Sequence, residues 1–394
     1  MTGRPSSPRR SMMGVYGGAV SSVLTQLLGR LGLATSGWET HEPAHNRWLT
    51  PGIWDLRRSD ANGGGTSTRL IVKHLSRYRP GGQSDYERHW TANSDDPHRW
   101  NYWAREALAY ESGAVQSFAT AGLAAPQCVG VEITDDDAIV ALQFVDGIPA
   151  DRWSIADYAE AARALGAGQA AYLVDSTFAA TPWMSRGFVR DYSTEKPVAW
   201  ELLDDDHAWQ QPLVRDCFPA ELRAAVGELH HRREELYAIL ESQPQTLCHL
   251  DFWTKNLIKT TSGFVLLDWA FVGIGAAGED IGNLVPDAAF DHFIDPSQLP
   301  ELRAAVLGGY LAGLAAAGWN GGPPDVESTM AASAVKYDWL TPLMLERASA
   351  AVHMQYGGAG PIDATQLYTT RGVALLDNAE QGLRALSLAA ARRG

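Results

Sequence analysis

The chain has 394 residues and a formal net charge of -14 at pH 7, with 45% hydrophobic and 20% charged residues. This length favours two domains over one compact core, and the composition is that of a globular enzyme and not of a disordered or membrane-spanning chain. The negative charge argues against a nucleic-acid partner, because binding to phosphate backbones requires clustered lysine and arginine.

Cysteine usage indicates the cellular compartment. Cys128, Cys217 and Cys248 are far apart and lack the spacing of zinc ligands or of a disulfide framework. The pattern predicts free thiols in a reducing environment and therefore a cytoplasmic protein.

The amino-terminal segment allows two interpretations. Arg9 and Arg10 precede a moderately apolar run, as in an export signal, but serine, threonine and glutamine interrupt that run between residues 21 and 26. Apolar residues between 20 and 31 recur at helical spacing, which favours an amphipathic helix packed on the first lobe. No other run is long enough to span a bilayer, so no membrane partner is expected.

The first third of the chain reads as strands, a helix and more strands. The segments GWETHE, GIWDLRR and TRLIVKHL have the turns and β-branched alternation of an antiparallel sheet. A polar loop over residues 77–99 follows, and then a helix from Trp100 that stops near Gly122. The segments VGVEI and AIVALQFVDG predict a β-hairpin.

After Gly147 the pattern becomes mainly helical. Alanine- and leucine-rich stretches predict helices over residues 155–174, 219–241, 301–317, 325–350 and 365–391. The change of character divides the chain into an N-terminal lobe of residues 1–147 and a C-terminal lobe of residues 148–394.

A short β-rich segment within the helical half carries the candidate chemistry. It reads LCHLDFWTKNLIKTTSGFVLLDWAFVGIGAAGEDIGNL and supplies His249, Asp251, Asn256 and Asp268. Amide and carboxylate oxygens at this spacing suit Mg²⁺ bound to triphosphate oxygens, so Asn256 and Asp268 are the predicted metal ligands. Asp251 is the predicted acceptor of a proton from a hydroxyl group. Each residue alone has an ordinary structural role as a cap or core residue, but their combination favours catalysis.

The motifs HLDFWTKN and LLDWAFVGIGAAGEDIGNL resemble those of the aminoglycoside phosphotransferase and choline kinase-like family, which is related to the protein kinases. The resemblance implies a two-lobed α+β fold, with a small sheet-containing lobe that binds nucleotide and a larger helical lobe for catalysis and acceptor binding. It also implies that His249 braces the catalytic loop and that Asp280 is a structural anchor.

A kinase of this kind needs a cation on the α- and β-phosphates of the nucleotide. Lys73 is the only lysine among the first 195 residues, which makes it the candidate. Glu106 and Glu111 on the following helix both qualify as its ion-pair partner. The family's habit of placing this glutamate early in the helix, after an arginine such as Arg105, favours Glu106.

Two nucleotide-contacting segments depart from the family pattern. The stretch LQFVDG is the expected hinge, with the backbone of Phe144 and Val145 receiving the nucleotide base, but its first part has Gln143 and Phe144 where many relatives have acidic residues. The donor is therefore left as ATP or GTP. The phosphate-covering loop is expected between His45 and Gly52, where only one glycine occurs.

Two other classes of protein remain as alternatives. The run from Gly273 to Gly278 matches the GxGxxG pattern of dinucleotide sites, although no alternation of strands and helices surrounds it. A catalytically silent kinase-like binding module would explain the sparse phosphate loop. In the kinase interpretation the glycines between Gly273 and Gly278 form turns that lead the chain away from the metal site.

The sequence does not choose the acceptor. The resemblance implies a small molecule with a hydroxyl group, such as an antibiotic, an amino sugar or a related metabolite. Four acidic residues could attract an amine, or could equally serve as caps and solvated turns. They are Glu279, Asp287, Asp291 and Asp295.

Overall fold

A computed structural model describes residues 22–42, 50–59, 67–77, 94–148, 152–174, 177–350, 353 and 362–391. Arg9 and Arg10 of the export-signal interpretation lie outside the described residues, and so do residues 43–49, which include most of the predicted phosphate loop.

The strands fall in the order predicted for the first third of the chain and recur around the candidate site. They are β1 (Glu39–His41), β2 (Gly52–Ser59), β3 (Ser67–Ser76), β4 (Leu123–Ala124), β5 (Cys128–Ile133), β6 (Asp137–Gln143), β7 (Gln245–Cys248), β8 (Leu257–Thr260), β9 (Gly263–Leu266) and β10 (Gly273–Ala276).

The α-helices lie mostly in the second half of the chain. They are α1 (Ser22–Arg30), α2 (Arg105–Glu111), α3 (Ile155–Val174), α4 (Phe188–Thr194), α5 (Asp206–Trp209), α6 (Pro212–Cys217), α7 (Leu222–His231), α8 (Arg233–Ser242), α9 (Glu279–Phe290), α10 (Leu299–Ala316), α11 (Pro323–Ala332), α12 (Leu340–Glu346) and α13 (Ala364–Ala391).

The N-terminal sheet has the strand order β1-β2-β3-β6-β5, with every neighbouring pair antiparallel. Alternation along β3 sends Leu70 and Val72 to one face, where they pack with buried leucines of α1. Lys73 therefore faces the opposite side of the sheet, towards α2. Two helices thus cover the two faces of the sheet.

Helix α1 fulfils the prediction of an amphipathic helix on the first lobe. Leu24, Leu27 and Leu28 are buried at helical spacing, and Arg30 donates to both carboxylate oxygens of Asp137 at 2.8 Å.

Close backbone contact joins α3 to α10. A Cβ atom added at Gly309 would lie 2.2 Å from the carbonyl oxygen of Ala159, and one added at Gly313 would lie 2.0 Å from that of Arg163. Only glycine allows the two helices to approach this closely. Their contact forms part of the core behind the candidate site.

The predicted α+β class is confirmed, since a sheet-containing N-terminal part precedes a larger and mainly helical one, as in protein-kinase-like folds. Several predicted helices were wrong in extent. The helix expected from Trp100 to Gly122 is α-helical only over Arg105–Glu111 and continues as 3-10 turns beyond Gly113, whose φ is +77°.

The longer helices of the second half are interrupted. The predicted helix 219–241 divides at Arg232 into α7 and α8. The predicted helix 325–350 becomes α11, the 3-10 segment Ser333–Tyr337 and α12. In the described ranges, no helix combines the length and apolar character needed to cross a membrane.

Candidate active site

Lys73 and Glu106 form a buried ion pair. The Lys73 ammonium lies 2.7 and 2.9 Å from the two carboxylate oxygens of Glu106. Strand β3 supplies the lysine on the face that α2 covers, and Glu106 lies in the first turn of that helix. Glu111, the other candidate partner, is exposed at the end of α2.

Asp268 meets this pair from the C-terminal half of the chain. Its carboxylate lies 3.4 Å from the Lys73 ammonium and is about half exposed. The residue follows strand β9 and adopts a left-handed φ of +58°, a conformation uncommon for a side-chain-bearing residue. Burial opposes the charge of Lys73, but Asp268 and Glu106 together raise the pKa of the lysine above its usual value. Lys73 is therefore cationic at neutral pH.

Arg105 holds α2 against the turn that carries Asp268. Its side chain is fully buried and donates hydrogen bonds to five backbone carbonyls, one of them that of Ala270 at 3.1 Å. The other acceptors are the carbonyls of Pro97, Arg99, Trp100 and Trp183. All five N–H groups of the guanidinium thus have acceptors without a carboxylate partner.

The loop that carries Asp251 begins directly after β7. Leu250 has a left-handed φ of +67°, which turns the chain sharply before Asp251. The Asp280 carboxylate accepts hydrogen bonds from the backbone amides of His249 at 2.9 Å and Leu250 at 2.7 Å. Asp280 therefore anchors the loop through its backbone, in the structural position that the family resemblance implied.

Asn256 closes the same loop. Its side-chain amide donates to the carbonyl of Asp251 at 3.0 Å and to its carboxylate at 2.8 Å. Since the amide nitrogen makes these two bonds, the side-chain oxygen of Asn256 points away from Asp251 and is available to a cation or another donor.

The ionisation of Asp251 and His249 follows from their surroundings. Burial raises the pKa of Asp251 to about 7, against the opposing effects of Lys336 and of the Asn256 hydrogen bond. His249 is completely buried with its ring edge against Trp269, and burial lowers its pKa to about 4. The imidazole is therefore neutral at pH 7.

The donor set of Asn256 and Asp268 fits Mg²⁺. One amide oxygen and one half-exposed carboxylate are hard oxygen ligands, and Mg²⁺ commonly uses one or two protein ligands together with substrate phosphates. In the described part of the chain, no group of three or more His, Cys, Asp and Glu side chains forms a complete metal site. The two residues thus suit a metal that arrives with a phosphate ligand.

The predicted hinge follows β6 and adjoins β3. The backbone amide of Phe144 donates to the Arg69 carbonyl at 3.0 Å, and the Arg69 guanidinium lies 3.2 Å from the centre of the Phe144 ring. The Phe144 amide is thus engaged within the sheet. Its carbonyl oxygen and the Val145 backbone are the groups that could contact the base of a nucleotide.

The glycine run after Asp268 was predicted to form turns, and this was wrong for residues 273–276, which form strand β10. A Cβ atom at Gly273 would lie 2.3 Å from the Ser185 carbonyl oxygen, and one at Gly278 would lie 2.9 Å from that of Val326. These glycines pack against protein atoms. The pairing of β10 with β7 is antiparallel, unlike the parallel strands of a dinucleotide-binding domain.

The acidic residues considered for an amine acceptor bind groups of the protein itself. Glu279 accepts from the Ala276 amide, Asp291 pairs with Arg371, and Asp295 caps the 3-10 turn that follows it. Asp287 accepts a hydrogen bond of 2.6 Å from the hydroxyl of Tyr337. These contacts agree with the alternative that the residues are structural.

Two buried residues near Asp251 were missed by the sequence analysis. Asn283 of α9 donates to the Phe252 carbonyl at 3.1 Å, and Lys336 donates to the Leu250 carbonyl at 3.3 Å. Lys336 lies far along the chain in a predicted helix, where a lysine is ordinarily exposed. No local pattern connects it with the loop.

The fold and the geometry of the site are those of a phosphotransferase. Comparison with known protein families gives the same class. Residues 58–319 match the family model described as the phosphotransferase enzyme family, which is more than half of the chain. The chain therefore belongs to the phosphotransferase enzyme family. The prediction of a phosphotransferase is confirmed by this match. No curated protein matches the sequence.

Solved structures with a similar fold include several kinases. A choline/ethanolamine kinase family protein from Mesorhizobium loti is 16% identical with a TM-score of 0.49, and the match covers 94% of this chain and 99% of that one. Choline kinase from Cryptosporidium parvum Iowa II is 14% identical with a TM-score of 0.47, and the match covers 93% of this chain and 97% of that one. An amicoumacin kinase, solved with AMP-PNP, Ca²⁺ and Ami, is 12% identical with a TM-score of 0.45, and the match covers 86% of this chain and 88% of that one.

Proposed function

We propose that this phosphotransferase is a kinase that transfers the γ-phosphoryl group of ATP or GTP to a hydroxyl group of a small molecule. The observation that carries the proposal is the convergence of Lys73 and Asp268, which lie 3.4 Å apart although they come from the two halves of the chain. A cation beside a potential metal ligand is what a nucleotide's phosphates require.

The proposed nucleotide site uses Lys73 to bind the α- and β-phosphates and Glu106 to orient the lysine. The base would contact the backbone of Phe144 and Val145. Asn256 and Asp268 would hold Mg²⁺, which supplies charge neutralisation on the phosphate oxygens when bound. The half exposure of Asp268 supports this role, because the carboxylate is open to a ligand from solvent.

Asp251 is the proposed base for the acceptor. Its carboxylate takes the proton of the acceptor hydroxyl as that oxygen forms a bond to the γ-phosphorus. The bond from the γ-phosphorus to the bridging oxygen of the nucleotide breaks, and the diphosphate leaves with the electron pair. The hydrogen bond from Asn256 at 2.8 Å orients the carboxylate for this step, and neutral His249 packs against the Trp269 ring.

The acceptor is proposed as an antibiotic, an amino sugar or a related metabolite. A reducing, cytoplasmic location remains part of the proposal, because Cys128, Cys217 and Cys248 are free thiols. Oligomeric state is not part of it.

An assay of ADP and GDP formation tests the function. Purified protein with Mg²⁺ and either nucleotide is incubated with aminoglycosides, nucleoside antibiotics, choline, amino sugars and homoserine, and phosphorylated product is identified by mass. We expect transfer to one acceptor class, abolished by Asp251→Asn and kept by Asp216→Asn, a change at an exposed carboxylate.

Two results of this assay, combined with a titration of nucleotide binding to the same protein, would reject the kinase. Nucleotide binding without product for any acceptor would favour a silent binding module. Failure to bind nucleotide at all would contradict the assignment of Lys73 and Asp268.

A further inference from the structure

Lys336 is a buried lysine whose ammonium group lies against the loop that carries Asp251. Lys336 is about 5% exposed, and its positive charge lowers the pKa of four acidic residues, of which Glu279 and Asp280 are buried. The four residues are Asp251, Glu279, Asp280 and Asp287. A buried ammonium group is costly unless hydrogen bonds and opposite charges compensate it, so its position calls for a function.

The ammonium group of Lys336 contacts the catalytic loop directly. It donates to the Leu250 carbonyl at 3.3 Å and to the side-chain oxygen of Asn283. The amide of Asn283 in turn donates to the Phe252 carbonyl at 3.1 Å. Lys336 therefore holds the residue before Asp251 directly and the residue after it through Asn283.

The turn at Leu250 needs such support. Its left-handed φ of +67° costs free energy, on the order of 1 kcal/mol or more for a side-chain-bearing residue. Asp280 binds the amide side of this turn, at His249 and Leu250. Lys336 binds its carbonyl side, and the two residues together fix the peptide groups that lead into Asp251.

We propose that Lys336 is a positioning residue that fixes the Asp251 loop for phosphoryl transfer, an inference that rests on the proposed kinase function. Without the ammonium group, the Leu250 carbonyl loses its charged donor, and the side-chain oxygen of Asn283 loses one donor and keeps the Tyr337 hydroxyl at 2.7 Å. The Asp251 carboxylate then moves relative to the acceptor hydroxyl. Lys73 and Asp268 lie on other elements and keep their contacts, so nucleotide binding persists.

The test compares Lys336→Met with Lys259→Met. The first change removes the buried ammonium and keeps a long unbranched side chain, while the second removes an ammonium that pairs with Asp157 and Glu160. With the acceptor of highest wild-type rate, we expect Lys336→Met to lower kcat roughly 100-fold, since misplacement by about 1 Å has effects of this size. KM for Mg·ATP should stay within about threefold of the wild-type value, because the variant still binds the nucleotide. Lys259→Met should match the wild type.

Chemical rescue separates positioning from a general loss of folding. Lys336→Ala lacks three carbons and one nitrogen of the lysine side chain, the same heavy atoms that propylamine contains, so propylammonium can refill the site, whereas 1-propanol matches its shape without the charge. We expect propylamine to restore kcat about tenfold or more and 1-propanol to have no such effect. Equal rescue by both compounds would overturn the inference.

The result for the wild type distinguishes the two levels of proposal. Wild-type transfer together with an unchanged kcat in Lys336→Met overturns the role of Lys336 alone. Absence of transfer by the wild type overturns the kinase function and, with it, this inference.

Discussion

The Arg105 guanidinium donates a hydrogen bond of 3.1 Å to the Ala270 carbonyl, and this contact ties the helix that carries Glu106 to the turn that carries Asp268. The adjacent residues Arg105 and Glu106 thus serve two purposes. One fixes the position of α2, and the other presents a carboxylate to Lys73. The ion pair depends on a helix that is held from outside the N-terminal sheet.

Replacement of Arg105 by methionine should destabilise the protein. Five backbone carbonyl groups in buried or partly buried positions would each lose a donor, and the unfolding free energy should fall by roughly 3 kcal/mol or more. Thermal melting measures the effect. Arg215→Met, at an exposed residue that pairs with its neighbour Asp216, should leave the melting temperature within about 1 °C. Equal melting temperatures for the two variants would contradict the role of Arg105.

The two glutamates of α2 allow a matched comparison. Glu106→Gln removes the charged partner of Lys73 and should lower kcat/KM for Mg·ATP by about 10- to 100-fold, since a kinase needs this ion pair in place. Glu111→Gln is the same change at an exposed residue of the same helix and should leave kcat/KM unchanged. Steady-state kinetics decides, and equal effects of the two changes would reject the assignment.

The proposed metal role of Asp268 predicts a specific loss in Asp268→Asn. With Mg²⁺ present, nucleotide affinity should fall about tenfold or more, because a carboxylate ligand is lost. Titration calorimetry with Mg²⁺ and then with EDTA measures this. In EDTA the variant and the wild type should bind nucleotide alike, whereas an equal loss in both conditions would indicate a role unrelated to the metal.

Adjacent glycines on α10 should respond with opposite signs. Gly309→Ala places a methyl group against the Ala159 carbonyl and should cost about 1–3 kcal/mol of stability through overpacking. Gly308→Ala meets no atom within 4 Å and should stabilise the helix by about 0.5–1 kcal/mol. Chemical denaturation of both variants measures these changes in the unfolding free energy. A stable Gly309→Ala protein would argue against the close contact of α3 and α10.

The stability that Asp137 contributes should depend on pH. Arg30 chiefly, with Thr134 and His74, holds the pKa of Asp137 below its usual value. A depressed pKa means that the contribution is present above the unfolded pKa of about 3.9 and is lost as pH falls through the lower folded value. Asp137→Asn should therefore melt below the wild type by a constant difference from pH 5 to 8.

Below pH 4 this difference in melting temperature should narrow. At pH 7 the difference in melting temperature should correspond to about 1 kcal/mol of unfolding free energy, which is typical of a partly exposed ion pair. A difference that stays constant or widens down to pH 3 would show that the Arg30 contact does not stabilise the folded state.

Much of the N-terminal sheet could be predicted from local patterns. The alternation of TRLIVKHL is enough to place Lys73 on the face opposite Leu70 and Val72, because side chains along a strand point to alternate sides. Helix extents were predicted less well. The stretch after Glu111 keeps helical periodicity, but Gly113 and Gly122 adopt left-handed φ values that end regular structure.

Around Asp251 the sequence by itself determined the candidate residues for the chemistry, because HLDFWTKN lies within one short loop whose spacing is local. Only the tertiary structure decided what holds that loop in place. Asn283 and Lys336 reach it from distant segments, and Asp268 meets Lys73 across the two halves of the chain. Such contacts depend on how helices pack, and the packing arises from summed burial over the whole chain and leaves no periodic signal near any one residue.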